Sequence, residues 1–160
     1  MIRKYWSPIG ELTLAVENGA LVEIGLDGAE ISEVDGNDED GEVLLEVRGW
    51  LDEYFSGRRM TIDGLKLAPR GTEFQKEVWG ILRGIQYGET MSYGEIAQKM
   101  AEIRGIEKMS AQAVGQAVGK NPIPIIVPCH RVVGKDGKMT GYSGGMEKKI
   151  WLLGHEGVLE

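Results

Sequence analysis

The chain contains a single cysteine, Cys129, in 160 residues. One cysteine cannot form an internal disulfide, which fits a reducing compartment, and it cannot build a cysteine-rich zinc site. Long apolar runs are missing too: nothing approaches the roughly 20 residues needed to span a bilayer. The opening MIRKYWSPIGELTL has no apolar stretch ending in a small-residue cleavage site, so no secretory signal is expected and a cytoplasmic location is. Positive charge is scarce in one half only. Residues 1–70 hold 7 Lys and Arg against 15 Asp and Glu, whereas residues 71–160 hold 11 against 10. The overall charge of −7 is therefore a poor guide to what the second half binds. From Ser110 to Lys138, Lys120, Arg131, Lys135 and Lys138 face Asp136 alone.

What is present reads first as sheet and helix. GELTLAVENGALVEIGL has two alternating apolar runs around Asn18-Gly19, a hairpin signal. EISEVDGNDEDGE is a polar loop; its acidic cluster lacks the spacing of a calcium loop, so a solvated segment is expected. Val43, Val47, Trp50, Leu51 and Tyr54 recur at helical spacing, and Gly57 can end that helix. Residues 66–73 read as a linker between an α/β part, 1–65, and a mostly helical part, 74–160. Thr72 is placed to cap a helix with Phe74, Val78, Trp79 and Leu82 on its apolar side. Ser92, with Glu95 as in a capping box, and Ser110 are placed to cap two further short helices. These, followed by VVGKDGKMTGY, predict a helix-turn-helix with a wing-like hairpin turning at Lys135-Asp136-Gly137. Ser143 is expected to cap a last helix. The helix after Ser110 has a nearly bare side, Ala111, Ala113, Gly115, Ala117 and Gly119. That suits tight helix packing or close approach to a nucleic-acid backbone.

NPIPIIVPCHRVVG surrounds the cysteine with chemistry. A free thiol with an ordinary pKa near 8.5 is mostly protonated at neutral pH. Buried cysteines are most often structural. Here Pro122, Pro124 and Pro128 stiffen the approach, His130 is a base that titrates near neutrality, and Arg131 is a fixed charge. His130 is the immediate neighbour of Cys129, so a bridging water is expected to carry the proton. An acceptor must hold the other ring nitrogen; Glu156 is one candidate among several carboxylates. His155, the only other histidine, reads as a helix-end residue favoured by the macrodipole.

IPIIVPCHRVVGKDGKMTGYSGG and WLLGHEG, with GTEFQKEVW, GETMSYGEIA and AVGQAVGKNP in order before them, resemble the O6-alkylguanine-DNA alkyltransferase family. The resemblance is close over about residues 66–158 and a matter of layout before that. It implies an N-terminal α/β domain with a small antiparallel, ribonuclease-H-like sheet, then a winged helix-turn-helix domain that enters the minor groove and flips the damaged base out. It implies that Cys129 accepts the alkyl group, His130 is the water-mediated base, Glu156 orients it, Asn121 braces the turn and Tyr93 helps extrude the base. Val127, Val132, Tyr142, Ser143 and Gly144 would form the substrate pocket. Ser92, Ala111, Gln112, Ala113, Gly115, Lys120 and Arg131 would face the DNA. The expected partner is double-stranded DNA carrying O6-alkylguanine, bound by a monomer without cofactor, metal or membrane. Gln112 departs from the arginine usual in the family's recognition helix, and Arg104 or Lys108 are candidates to compensate. The N-terminal half has none of the cysteines and histidines that bind zinc in some relatives.

Two other readings use the same residues. A Cys-His-Glu hydrolase would turn over many times. A winged-helix regulator or non-transferring lesion binder would need no thiol.

Overall fold

The computed structural model describes residues 1–32 and 36–159. The chain divides into two compact units, Met1–Arg70 and Gly71–Glu160. No helix among the described residues is long and apolar enough to cross a membrane.

The first unit is an antiparallel sheet, order β1-β2-β3, with one helix against it. β1 (Ile2–Ser7), absent from the sequence-based expectation, pairs along the outer side of β2 (Gly10–Glu17). β2 is the central strand, and its residues 12–16 are buried on both faces. The turn to β3 (Ala20–Gly25) falls at Asn18-Gly19 as expected. Both residues have positive φ, 51° and 78°, the conformation that favours Asn-Gly in a two-residue hairpin. α1 (Asp40–Phe55) buries Val43, Val47, Trp50, Leu51 and Tyr54, the stripe its periodicity predicts, and Leu44 beside them. Gly57, at φ 100°, ends it. Residues 66–68, read from sequence as linker, are instead bonded to β3: Leu21 N–H donates to Lys66 O and Ala68 N–H to Leu21 O, both 2.8 Å. Arg70 pairs with Glu17. This segment therefore belongs to the first unit.

Part of the acidic loop, Glu33 and Asp35, lies outside the described residues. Asp40 is not solvated: it is fully buried and accepts from Gly19 N at 2.7 Å and Asn37 N at 2.9 Å. Burial pushes its pKa up, but those two N–H bonds and the N-terminal ammonium outweigh it and hold the carboxyl below its ordinary value. The carboxylate thus ties the hairpin turn to the start of α1.

In the second unit, α2 (Glu73–Leu82) starts with the expected Thr72 cap, and Gln75 closes a full capping box. β4 (Met91–Ser92) runs into α3 (Tyr93–Arg104), where Ser92 accepts from Glu95 N; the Glu95 carboxylate accepts from the Ser92 hydroxyl, not from the backbone. α4 (Ala111–Gly119) is capped by Ser110 as expected. α2, α3 and α4 pack on one another, and Trp79 Nε1–H donates to Ala117 O at 2.8 Å across the α2–α4 contact. Two expectations are corrected. The strand before the predicted wing turn, β5 (Val132–Val133), pairs in parallel with β4, and no strand follows the turn among the described residues. The turn itself forms as expected, with Asp136 and Gly137 both at positive φ, 60° and 77°, as in a two-residue hairpin turn; Lys138 N–H donates to Lys135 O at 3.2 Å and Gly134 N–H to Lys138 O at 2.7 Å. Ser143 does not cap α5 (Met146–His155); the cap position is Gly145, at φ 101°, so the chain needs glycine there to turn into the helix.

Asp40→Ala leaves the Gly19 N–H buried without an acceptor. The expected cost is about 1–3 kcal/mol, a fall of at least about 4 °C in the melting midpoint of a unit this size. Because the folded carboxyl is depressed, its contribution is present above the ordinary carboxylate range and is lost as pH falls through the folded value. Thermal melts should therefore show the deficit of the variant at neutral pH and its shrinkage in acid.

Candidate active site

The loop 121–128 positions the cysteine through local backbone bonds. Asn121 Oδ1 accepts from Ile123 N at 3.0 Å, and its Nδ2 donates to Val127 O at 2.8 Å. One side chain thus closes the loop from both ends. Ile126 N–H donates to Pro124 O, making a three-residue γ-turn around Ile125, whose φ is +74°. Positive φ is strained for a β-branched residue, and such strain persists only where surroundings enforce it. Ile125 is fully buried. A second γ-turn, Cys129 N–H to Val127 O at 2.8 Å, centres on Pro128 at φ −82°, ψ 66°. Proline suits it because the ring already sets φ. Cys129 then opens the 3-10 turn Cys129–Arg131.

Cys129 is buried and lines a cavity of about 180 Å³ with Tyr93, Gly115, Val118, Gly119, Gly141, Tyr142 and Ser143. Tyr93, Tyr142 and Ser143, expected at the site, come together here with Gly115, which was expected to face the DNA. Val127, Val132 and Gly144 do not line it; the side chains of Val127 and Val132 are in the core. The Val127 carbonyl accepts from Asn121 Nδ2 and from Cys129 N–H, and the Val132 carbonyl accepts from Lys149 Nζ. The Tyr142 hydroxyl is buried with no well-aligned hydrogen bond, and the thiol is its polar neighbour. Thr140 Oγ1 reaches Tyr93 Oη at 3.5 Å.

Behind the cysteine lies a buried charge cluster. His130 Nε2 is 2.6 Å from Glu156 Oε2. Arg131 donates to both oxygens of Glu156, through Nε at 2.8 Å and Nη2 at 3.1 Å, and through Nη1 to Ile85 O at 2.6 Å. Gly88 N–H adds a longer bond to Glu156 Oε1 at 3.4 Å. Arg131 was expected to face DNA. That is corrected: its guanidinium is buried and its donors are directed to Glu156 and Ile85. Burial alone would raise the Glu156 pKa, but the hydrogen bond and charge of His130, then those of Arg131, bring it down to about 2. Burial lowers His130, against the pull of Glu156. The pair therefore rests as carboxylate and neutral imidazole, with the proton on Nε2 facing Glu156. That leaves Nδ1 as the free base, and Nδ1 is buried without a protein partner. Burial raises the Cys129 pKa; Asn121, Lys149 and Tyr142 oppose the rise.

Of the other expected contacts, Ala111, Gln112 and Lys120 are exposed at the two ends of α4, and Ala113 is half-buried. The Ser92 hydroxyl is engaged as the α3 cap. Arg104 is tied to Glu77 at 2.9 Å and lies over the Phe74 ring, whereas Lys108 is exposed. His155 stacks on Trp151 in the last turn of α5. Sequence reasoning missed Lys149, which is fully buried and donates to Val132 O at 2.6 Å and Thr140 O at 3.0 Å. Its signal was legible: it stands three and four residues before Leu152 and Leu153, on the apolar stripe of α5. No group of three or more His, Cys, Asp or Glu able to hold a metal occurs among the described residues.

Comparison with known proteins agrees with this arrangement. Residues 2–69 match the model of the 6-O-methylguanine DNA methyltransferase ribonuclease-like domain, and residues 73–158 that of the DNA binding domain. A methylated-DNA–protein-cysteine methyltransferase of Methanosarcina acetivorans is 45% identical over 153 residues, covering 94% of each chain. One of Shigella flexneri is 51% identical over 109 residues, 68% of this chain but only 61% of that protein. The crystal structure of Mycobacterium tuberculosis OGT in complex with DNA is 41% identical, covers 99% of this chain and 94% of that one, and has a TM-score of 0.80. With both units matched in order and Cys129, His130 and Glu156 assembled in the second, the chain belongs to the 6-O-methylguanine DNA methyltransferase family.

Proposed function

We propose that this protein repairs DNA by moving the alkyl group of O6-alkylguanine onto Cys129, once per molecule. The observation that carries this reading is the buried thiol at the wall of a cavity, next to a histidine whose partnered nitrogen fixes the other as a base. The thiol proton passes through a water to His130 Nδ1, and Glu156 balances the imidazolium that forms. The thiolate attacks the alkyl carbon in line, the carbon–O6 bond breaks, and its electron pair leaves with guanine. Tyr93 or Tyr142 gives the departing base a hydrogen bond, and the proton taken from the thiol is returned by the imidazolium through water to N1 of guanine, so that His130 ends neutral. The product is a thioether, which has no leaving group at neutral pH, and the chain has no second cysteine to resolve it.

A base stacked in a duplex cannot present this carbon to a buried thiol, so the target nucleotide is flipped into the cavity. In this reading α3 and α4 form the helix-turn-helix and α4 lies in the minor groove. The turn Lys135–Gly137 stands beside it as a wing, and the N-terminal sheet is ribonuclease-H-like. Gln112, exposed near the start of α4, fills the space the base leaves. The protein acts as a monomer.

Mass spectrometry after mixing with an O6-methylguanine duplex should find one methyl group, on Cys129. Cys129→Ala should take up none yet still bind the duplex; methyl transfer by this variant overturns the mechanism, and repeated turnover by the unmutated protein favours a hydrolase. Glu156→Gln should slow single-turnover transfer by about 10²-fold or more, the scale of lost general-base assistance, with a much smaller effect on duplex binding. An unchanged rate would reduce Glu156 to a structural charge. Gln112→Arg should tighten duplex binding and speed repair, since a stacked side chain is worth roughly 1–3 kcal/mol and the added charge meets phosphates. Its rate with free O6-alkylguanine base, which needs no flipping, should not change. Weaker duplex binding would mean that Gln112 makes a contact that arginine cannot copy.

A further inference from the structure

Lys149 is a charged side chain with no charged partner in a place where charge is costly. It is fully buried, and among the described residues no carboxylate lies within ion-pair distance of its Nζ. Its acceptors are two neutral carbonyls, Val132 O and Thr140 O. An unpaired buried ammonium is retained only where something compensates for its lost hydration.

The position of Nζ shows what can compensate. Val132 N–H donates to Cys129 O, so the first carbonyl that Nζ grips belongs to the residue closing the turn of the cysteine. Thr140 lies two residues before Tyr142, which lines the cavity together with Cys129. Lys149 therefore clamps together the two segments that hold the thiol. The other ionisable groups here are accounted for. Arg131 and Glu156 neutralise each other behind His130, and His130 is neutral at rest. Tyr142 stays protonated, pushed well above its ordinary value by burial and the neighbouring thiol; Tyr93 is the other phenol of the cavity. On its own helix, Glu147 is exposed and Lys148 half-buried. The site is thus left with one surplus positive charge, and ionised Cys129 is the one group of opposite sign that can cancel it. Each bears on the titration of the other: Lys149 lowers Cys129, and Cys129 raises Lys149 against a larger lowering by burial.

We propose that Lys149 is a positioning residue whose buried ammonium is the counter-charge of the Cys129 thiolate, while its two carbonyl bonds hold the walls of the cavity in register. His130 takes the proton; Lys149 makes the anion left behind tolerable in a dry site. This division of labour rests on Cys129 being the acceptor, and it predicts that the lysine matters to the thiol even when no DNA is present.

The test is the pH dependence of Cys129 alkylation by iodoacetamide without DNA, in the unmutated protein and in Lys149→Gln, Lys149→Met and Lys149→Arg. Gln keeps a donor for the carbonyls and loses the charge; Met loses both; Arg keeps the charge. The expected result is a midpoint about one pH unit or more higher in Gln and Met, a high-pH plateau little changed in Gln, and a midpoint near the original in Arg. A merely structural lysine would lower the plateau and leave the midpoint where it was; that result overturns the proposal. Should the variants fail to fold by thermal melt, the unmutated protein still decides. A buried positive charge makes anionic iodoacetate faster relative to iodoacetamide than it is with free cysteine, and an unchanged ratio also overturns the proposal. Methyl transfer from an O6-methylguanine duplex is measured in parallel. A shifted midpoint in a protein that takes no methyl from DNA would overturn the repair reading and leave the role of Lys149 standing.

Discussion

The carboxylate of Glu156 is the point on which the second unit depends. It lies beyond the end of α5 and accepts from His130, Arg131 and Gly88, so it joins the helix end, the turn of the cysteine and the segment before β4. A carboxylate buried alone would take up a proton or stay in water. The planar guanidinium of Arg131 satisfies both oxygens at once and cannot be deprotonated, which keeps the carboxylate ionised. The ionised carboxylate then sets the imidazole tautomer, and with it the nitrogen that is free to work. Removing Arg131 or Glu156 leaves a buried charge without its partner, usually a loss of about 3–5 kcal/mol. Structure and chemistry share the same atoms here.

The stiffness of 121–128 serves the same end. A thiol in a flexible loop would lose conformational entropy on meeting its substrate. Here two γ-turns, a proline at the centre of one and the two side-chain hydrogen bonds of Asn121 meet that cost during folding. On the far side of the cavity, α4 contributes little bulk. A Cβ at Gly115 would meet the Tyr93 ring at 3.6 Å, an ordinary contact, so the helix has no need of glycine to admit the tyrosine. Its bare side instead keeps the cavity open at Gly115 and Gly119. Trp79 holds α4 to α2 by a buried hydrogen bond to Ala117 O, which fixes how the helix is turned.

Features governed by a few neighbouring residues were legible in the sequence. The Asn18-Gly19 turn, the caps at Thr72, Ser92 and Ser110, and the buried stripe of α1 all depend on backbone geometry and on spacings of three or four residues. The stiff surroundings of Cys129 were legible for the same reason, because proline acts on its own φ and on the residue before it. Ser143 misled because a good capping residue stands two positions before the true cap, where Gly145 takes a φ of 101°. Only the tertiary structure decided the pairings between distant residues. β5 chose β4 in place of a hairpin partner, Glu156, 26 residues from His130, was selected from several carboxylates, Arg131 turned inward, and Lys149 was drawn in to the carbonyls of Val132 and Thr140. No local rule favours one carboxylate over another. The choice is made when burial removes water and each charge must find the partner that the packed helices bring within reach.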